Sequence, residues 1–173
     1  VSVGAGSVTI AAADATITGS ISGTGTLVLQ PSTVAGSIGL GGAAGDFNLD
    51  DAELLQLSDG FSGVTIGRVD GTGVIATDTA DFTDPITLLG GEATFAGLTT
   101  SQDNAGITIT TAATAGVTVS GSLAANGSGT IDINSGAAFA LNDGVTLSST
   151  SGAITIDTTG SNVLAVDGNV TTA

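Results

Sequence analysis

Val64-Thr65-Ile66 returns along the chain as Ile86-Thr87-Leu88, Ile107-Thr108-Ile109, Ile131-Asp132-Ile133 and Ile154-Thr155-Ile156. Successive copies lie 22, 21, 24 and 23 residues apart. Each copy is large aliphatic, polar, large aliphatic. In an extended strand this sends both aliphatics to one face and the polar residue to the other. A strand recurring at a near-constant step marks a solenoid, in which each repeat buries its apolar face only against its neighbours.

The last repeats give the plan of one turn. Ile107/Ile109, Val117/Val119 and Leu123 make one turn, and Ile131/Ile133, Phe139/Leu141 and Val145/Leu147 the next. Ile154/Ile156, Val163 to Val166 and Val170 make the last. Corners rich in Gly, Asn and Asp separate the strands, as in Ala124-Ala125-Asn126-Gly127 and Asn142-Asp143-Gly144. The expected fold is all-β: a three-faced parallel β-helix spanning residues 1–173 as one domain, with three short strands per turn of about 22 residues. About seven turns stacked about 4.8 Å apart give a rod on the order of 35 Å long. The aliphatic pairs form the expected core. Thr65, Thr87, Thr108, Asp132 and Thr155 form an outward column that suits a strand surface. Such a ladder also raises an ice-binding face, but Thr is an ordinary solvent-side residue and Asp132 interrupts the array.

Residues 1–40 open the rod, with Val8-Thr9-Ile10 and Leu27-Val28-Leu29 as early copies of the phrase. Ile17, Ile21, Val34, Ile38 and Leu40 read as parts of short strands broken by glycines, and Pro31 follows a strand. A helical insert at about residues 46–62 breaks the rhythm. Asn48 is its expected cap, and Asp50, Asp51 and Glu53 sit near the positive helix N-terminus. One or two turns are expected, ending near Ser58-Asp59-Gly60, with Leu54, Leu57 and Phe47 or Phe61 lying on the flank of the rod.

Composition supports a narrow interior. Phe47, Phe61, Phe82, Phe95 and Phe139 are the only aromatics, and 28 glycines with abundant Thr, Ser, Asn and Asp supply turns. Disorder is the competing reading of such a chain, and the regular β-branched pairs argue against it. Arg68 is the only basic side chain against 16 Asp and Glu, giving a net charge of −15. A basic footprint for nucleic acid is therefore absent, an anionic membrane surface would repel the chain, and no apolar run has transmembrane length. An acidic surface suits an extracellular, saline or calcium-containing setting. The absence of cysteine leaves redox compartment open. A chain that begins at Val1 rather than Met reads as a mature product or a fragment.

Side-chain chemistry for catalysis is scarce. Without His or Cys the usual acyl-transfer pairs cannot be built, and without Lys there is no Schiff base. Carboxylate pairs for glycoside cleavage remain available, but only Arg68 could neutralise a uronate. No catalytic residue is assigned, and no cofactor other than calcium. Asp78, Asp81 and Asp84, at three-residue spacing in an expected loop, are the candidate calcium ligands, since calcium takes six to eight oxygens. The other reading is a solvated corner with Asp capping turns. Asn104, Asn126, Asn134 and Asn142 read as corner residues, with a carbohydrate role as the alternative. Arg68 is expected to pair with Asp70.

Leu49-Asp50-Asp51-Ala52-Glu53-Leu54-Leu55-Gln56-Leu57, followed by Gly63-Val64-Thr65-Ile66-Gly67, resembles a phrase of large bacterial surface proteins of the filamentous-haemagglutinin type. The imperfect Gly-, Thr-, Asn- and Ala-rich repeats downstream are similar to the same family. The resemblance implies a right-handed parallel β-helix, export through an outer-membrane partner, and a role in adhesion, aggregation or as a passive stalk. The leading expectation is thus a non-catalytic structural segment of a secreted bacterial surface rod, an adhesin stalk or filament subunit, either cut from a longer rod or stacking end to end with other copies. Neither Val1-Ser2-Val3 nor Val170-Thr171-Thr172-Ala173 carries a polar cap helix, and uncapped rungs invite strand addition. The alternative is a module binding carbohydrate or a host surface, on one face or at the insert. A polysaccharide-cleaving enzyme ranks last.

Overall fold

The computed structural model describes residues 1–102, 104–159 and 162–172. Its strands stack in three parallel sheets. The first face carries β1 (Val8–Ala12), β2 (Thr26–Pro31), β5 (Gly63–Gly67), β8 (Ile86–Gly90), β11 (Ile107–Thr111), β14 (Ile131–Ser135) and β17 (Ile154–Thr158), paired in that order. The second carries β4 (Phe47–Leu49), β3 (Ile38–Leu40), β6 (Ile75–Thr77), β9 (Ala93–Phe95), β12 (Val117–Val119), β15 (Phe139–Leu141) and β18 (Leu164–Val166). The third carries β7 (Ala80–Phe82), β10 (Leu98–Thr100), β13 (Leu123–Ala125), β16 (Thr146–Ser149) and β19 (Asn169–Thr172). The chain is an all-β parallel solenoid of about 7 turns, three strands per turn and about 23 residues each.

The repeated phrase sets the register. Val64 lies opposite Ile86, which continues to Ile107, Ile131 and Ile154; Ile66, Leu88, Ile109, Ile133 and Ile156 run beside them. Both columns face inward, and from Val64 to Ile133 each member is at most 2% exposed. Thr65, Thr87, Thr108, Asp132 and Thr155 share the outward column between them. The alternation of the strand thus places the phrase as its pattern requires.

The second face fills a fixed width with unequal side chains. Phe47, Ile38, Ile75, Ala93, Val117 and Phe139 form one buried column, and Leu49, Leu40, Thr77, Phe95, Val119 and Leu141 the next. The rung that carries the small Ala93 carries the large Phe95 beside it, so volume is exchanged within a rung. The inner corners are polar but satisfied. Buried Thr77, Thr111 and Ser149 donate to the Gly97, Ala115 and Gly129 carbonyls at 3.0, 2.7 and 2.7 Å. Among the described residues no buried side-chain N or O lacks a partner, as a dry interior demands.

The insert proves to be part of the rod. After β3 the chain turns back and lays β4 on the far side of β3, in parallel. This supplies the second-face strand of the first rung, which residues 13–20 bypass without forming a strand. Phe47 therefore lies inside the rod, completely buried, rather than on its flank, and Asn48 belongs to β4 rather than capping a helix. The helix α1 (Asp51–Leu54) is a single turn capped by Asp50. Leu57 then forms an isolated parallel bridge with Ile21 before β5 resumes the rhythm. Ile17 and Val34 lie outside the strands, and Pro31 closes β2 instead of following it. Gly67, which ends the phrase, holds φ +104, and a Cβ there would strike the Leu89 carbonyl of the next rung.

The core assignment has a direct test. Ile133→Asp buries an unpaired charge and should abolish the cooperative thermal transition or cost about 4 kcal/mol or more. Thr108→Ser, on the outward column, should cost less than about 0.5 kcal/mol. Unfolding followed by circular dichroism separates the two, and equal losses would contradict the register.

Candidate functional site

The insert is built by carboxylates that hold backbone. Asp50 accepts from the Glu53 amide at 2.9 Å, and the Glu53 carboxylate accepts from the Asp50 amide at 3.1 Å. This reciprocal capping box fixes a helix too short to persist by propensity alone. The second Glu53 oxygen accepts from the Ile17 amide at 3.0 Å, and Asp14 accepts from the Asn48 amide at 3.0 Å. Residues 13–20 are thereby tied across the insert. Leu54 and Leu57 turn into the core at 7% and 8% exposure, which leaves Leu55 pointing outward at 82%.

The insert lies beside β7, and a groove of about 650 Å³ opens between them. Leu54, Leu57 and Phe82 line its floor, with Leu55, Asp51 and Asp59 along the insert side and Asp81 and Asp84 along the rod side. Of Asp78, Asp81 and Asp84, expected in one loop, only Asp81 lies in a strand, β7, while Asp78 and Asp84 sit in the bends on either side of it. Ala80 and Phe82 pair with Leu98 and Thr100 as a strand, and their inward alternation pushes Asp81 outward. Asp81 accepts from the Thr99 hydroxyl at 2.7 Å. Asp84, only 5% exposed, accepts from the Gly60 amide at 3.0 Å and so fastens the end of the insert to the rod. Asp78 is exposed and does not line the groove. Among the described residues no group of three or more carboxylates is arranged to hold a metal ion.

The remaining sequence candidates serve the backbone or one another. Asn104 adopts φ 59 and accepts from the Ser128 amide at 2.9 Å, with Gly127 packed against it. The Asn126 and Asn142 carbonyls close corners, whereas Asn134 sits outward in β14. Arg68 meets Asp70 through two bonds, Nε to Oδ1 at 2.9 Å and a terminal nitrogen to Oδ2 at 3.0 Å. The bonds from Arg68 hold the Asp70 carboxyl below its ordinary range, and those from the Ser37 hydroxyl and amide do the same for Asp46. No described helix is long and apolar enough to cross a membrane.

Sequence reasoning located the insert but missed the groove. The signal was the doublet Leu54-Leu55: one turn of helix can bury only one of two adjacent leucines, so the other must face out. Comparison with known protein families, curated proteins and solved structures found no match.

Two measurements follow from this geometry. About 10 mM calcium, above the roughly 0.1–1 mM dissociation constants of extracellular calcium modules, should raise the melting temperature no more than magnesium does. A calcium-specific rise lost in Asp81→Asn would assign the ion to this stretch. Asp46 and Asp70 have lowered folded pKa values, so their contribution is present above the unfolded value of about 3.9 and is lost as pH falls through the folded one. Asp46→Asn should therefore melt below the wild type at pH ~7, with the gap closing under acid. A gap that persists there would sink the assignment.

Proposed function

We propose that this chain is a non-catalytic structural segment of an extracellular rod at a bacterial surface, serving as an adhesin stalk or filament unit. The observation that carries the reading is the stack of about 7 parallel turns in shared register, an elongated architecture suited to a spacer. Composition agrees, because a chain without His, Cys or Lys is poorly supplied for catalysis. The resemblance of residues 49–67 to filamentous-haemagglutinin-type repeats supports the surface location.

The last described rung bears on assembly. Leu164, Val166 and Val170 stand in register with buried Phe139, Leu141 and Leu147, yet are 52%, 44% and 44% exposed. Ala173 lies outside the described residues. At the other end, Ile10, Ala12, Ile17 and Ile21 line an apolar hollow of about 480 Å³. A further rung, from more of the same chain or from another copy, would cover these side chains and pair the open strand edges. The two ends differ, so contact between one end and the other is head to tail, the geometry that propagates into a filament when the rotation does not close a ring.

Light scattering tests the filament version. Copies that each carry −15 repel one another, so association should grow with protein concentration and with salt. Leu164→Asp with Val166→Asp should abolish it while leaving the fold intact. A wild type that stays monomeric across that range rules out the filament unit and leaves only the stalk.

A further inference from the structure

We propose that the groove between α1 and β7 docks a partner segment in which aliphatic residues stand next to arginine or lysine. Three features of the groove converge on that chemistry. The first is shape: about 650 Å³ lies within the roughly 300–1,000 Å³ of ligand clefts. The second is an apolar floor closed by Leu54, Leu57 and Phe82, with Leu55 standing 82% exposed beside it. The third is charge. Asp51, Asp59 and Asp81 line the groove beside Asp84, which is 5% exposed and bonded to the Gly60 amide, and no basic residue does.

These features select among occupants. A second copy of this chain is a poor fit, because its one cation, Arg68, is committed to Asp70 and each copy carries −15. A glycan would want an aromatic platform, but the one aromatic that lines the groove, Phe82, is 4% exposed. A bare metal ion finds no converging carboxylates among the described residues. A basic, aliphatic peptide answers both halves of the site: its aliphatic side chain covers Leu55, and its cations meet the rim carboxylates. The walls are already set. The capping box fixes α1, Thr99 holds Asp81 at 2.7 Å, and the Asp84 bond to the Gly60 amide at 3.0 Å joins insert to rod. A preformed groove spends less binding energy on ordering itself.

The competing explanation for any cation binding is the field of the whole acidic chain, which attracts basic peptides without a site. The test is built to separate the two. Fluorescence anisotropy follows a short labelled peptide alternating leucine with arginine, titrated with the full chain at near-physiological salt. Asp51→Asn with Asp59→Asn, and separately Leu55→Gln, should each weaken binding about three- to tenfold. Asp143→Asn with Asp157→Asn removes the same charge from exposed positions elsewhere and should change affinity less than about twofold. A peptide with serine in place of leucine should bind as weakly as the Leu55→Gln variant binds the original. Leu55 is exposed and forms no part of the capping box, so that variant keeps the fold, which its melting curve verifies. Equal weakening by the two double variants, indifference to Leu55→Gln, absence of wild-type binding, or displacement of the peptide by a neutral oligosaccharide would each overturn the proposal.

Discussion

Each strand of this chain finds its backbone partner in another turn. A rung cannot satisfy its own N–H and C=O groups, so it is stable only where a neighbour stands about 4.8 Å away in the same register. That single constraint sets most of the rest. It requires inward positions to coincide from rung to rung, which is why Val64, Ile86, Ile107, Ile131 and Ile154 share one column. It also requires corners that turn within a few residues without leaving buried polar atoms unpaired. The buried Thr and Ser side chains bonded to corner carbonyls meet that requirement.

The insert is the same constraint met by an unusual route. The first rung lacks its own second-face strand, because residues 13–20 pass by without forming one. An uncovered Ile38–Leu40 edge would expose both apolar side chains and backbone groups. The chain covers it by doubling back as β4, then must return to the third face in few residues. The one-turn helix is that return path. Its brevity forces Leu54 inward and Leu55 outward, and its offset from β7 leaves the groove. The groove is thus a by-product of how the first rung is closed.

The charge distribution separates two roles for carboxylates. Asp14, Asp46, Asp50, Glu53 and Asp84 accept bonds from backbone amides and hold loops in place. Others, such as Asp51, Asp59, Asp143 and Asp157, face solvent and give the rod its negative field. With a single arginine already paired, almost nothing on the chain offsets that field. Solubility is favoured, and contact between copies is opposed unless apolar ends or salt outweigh it.

By itself the sequence determined the solenoid, its period, its three strands per turn and the inward and outward columns. These follow from alternation along a strand and from spacing along the chain, both local properties that survive without coordinates. It also exposed the insert as a break in that spacing and the pairing of Arg68 with Asp70. What only the tertiary structure decided is everything that depends on which rung a residue joins. Phe47 and Asn48 read locally as the start of a helix, yet β3 claims them as a strand. Asp78, Asp81 and Asp84 read as one loop of ligands, yet β7 runs through the middle of it, and Asp81 and Asp84 line the groove while Asp78 does not. A groove formed by residues 51–59 and 81–84 has no local signature, because its walls meet only after the chain has doubled back and stacked.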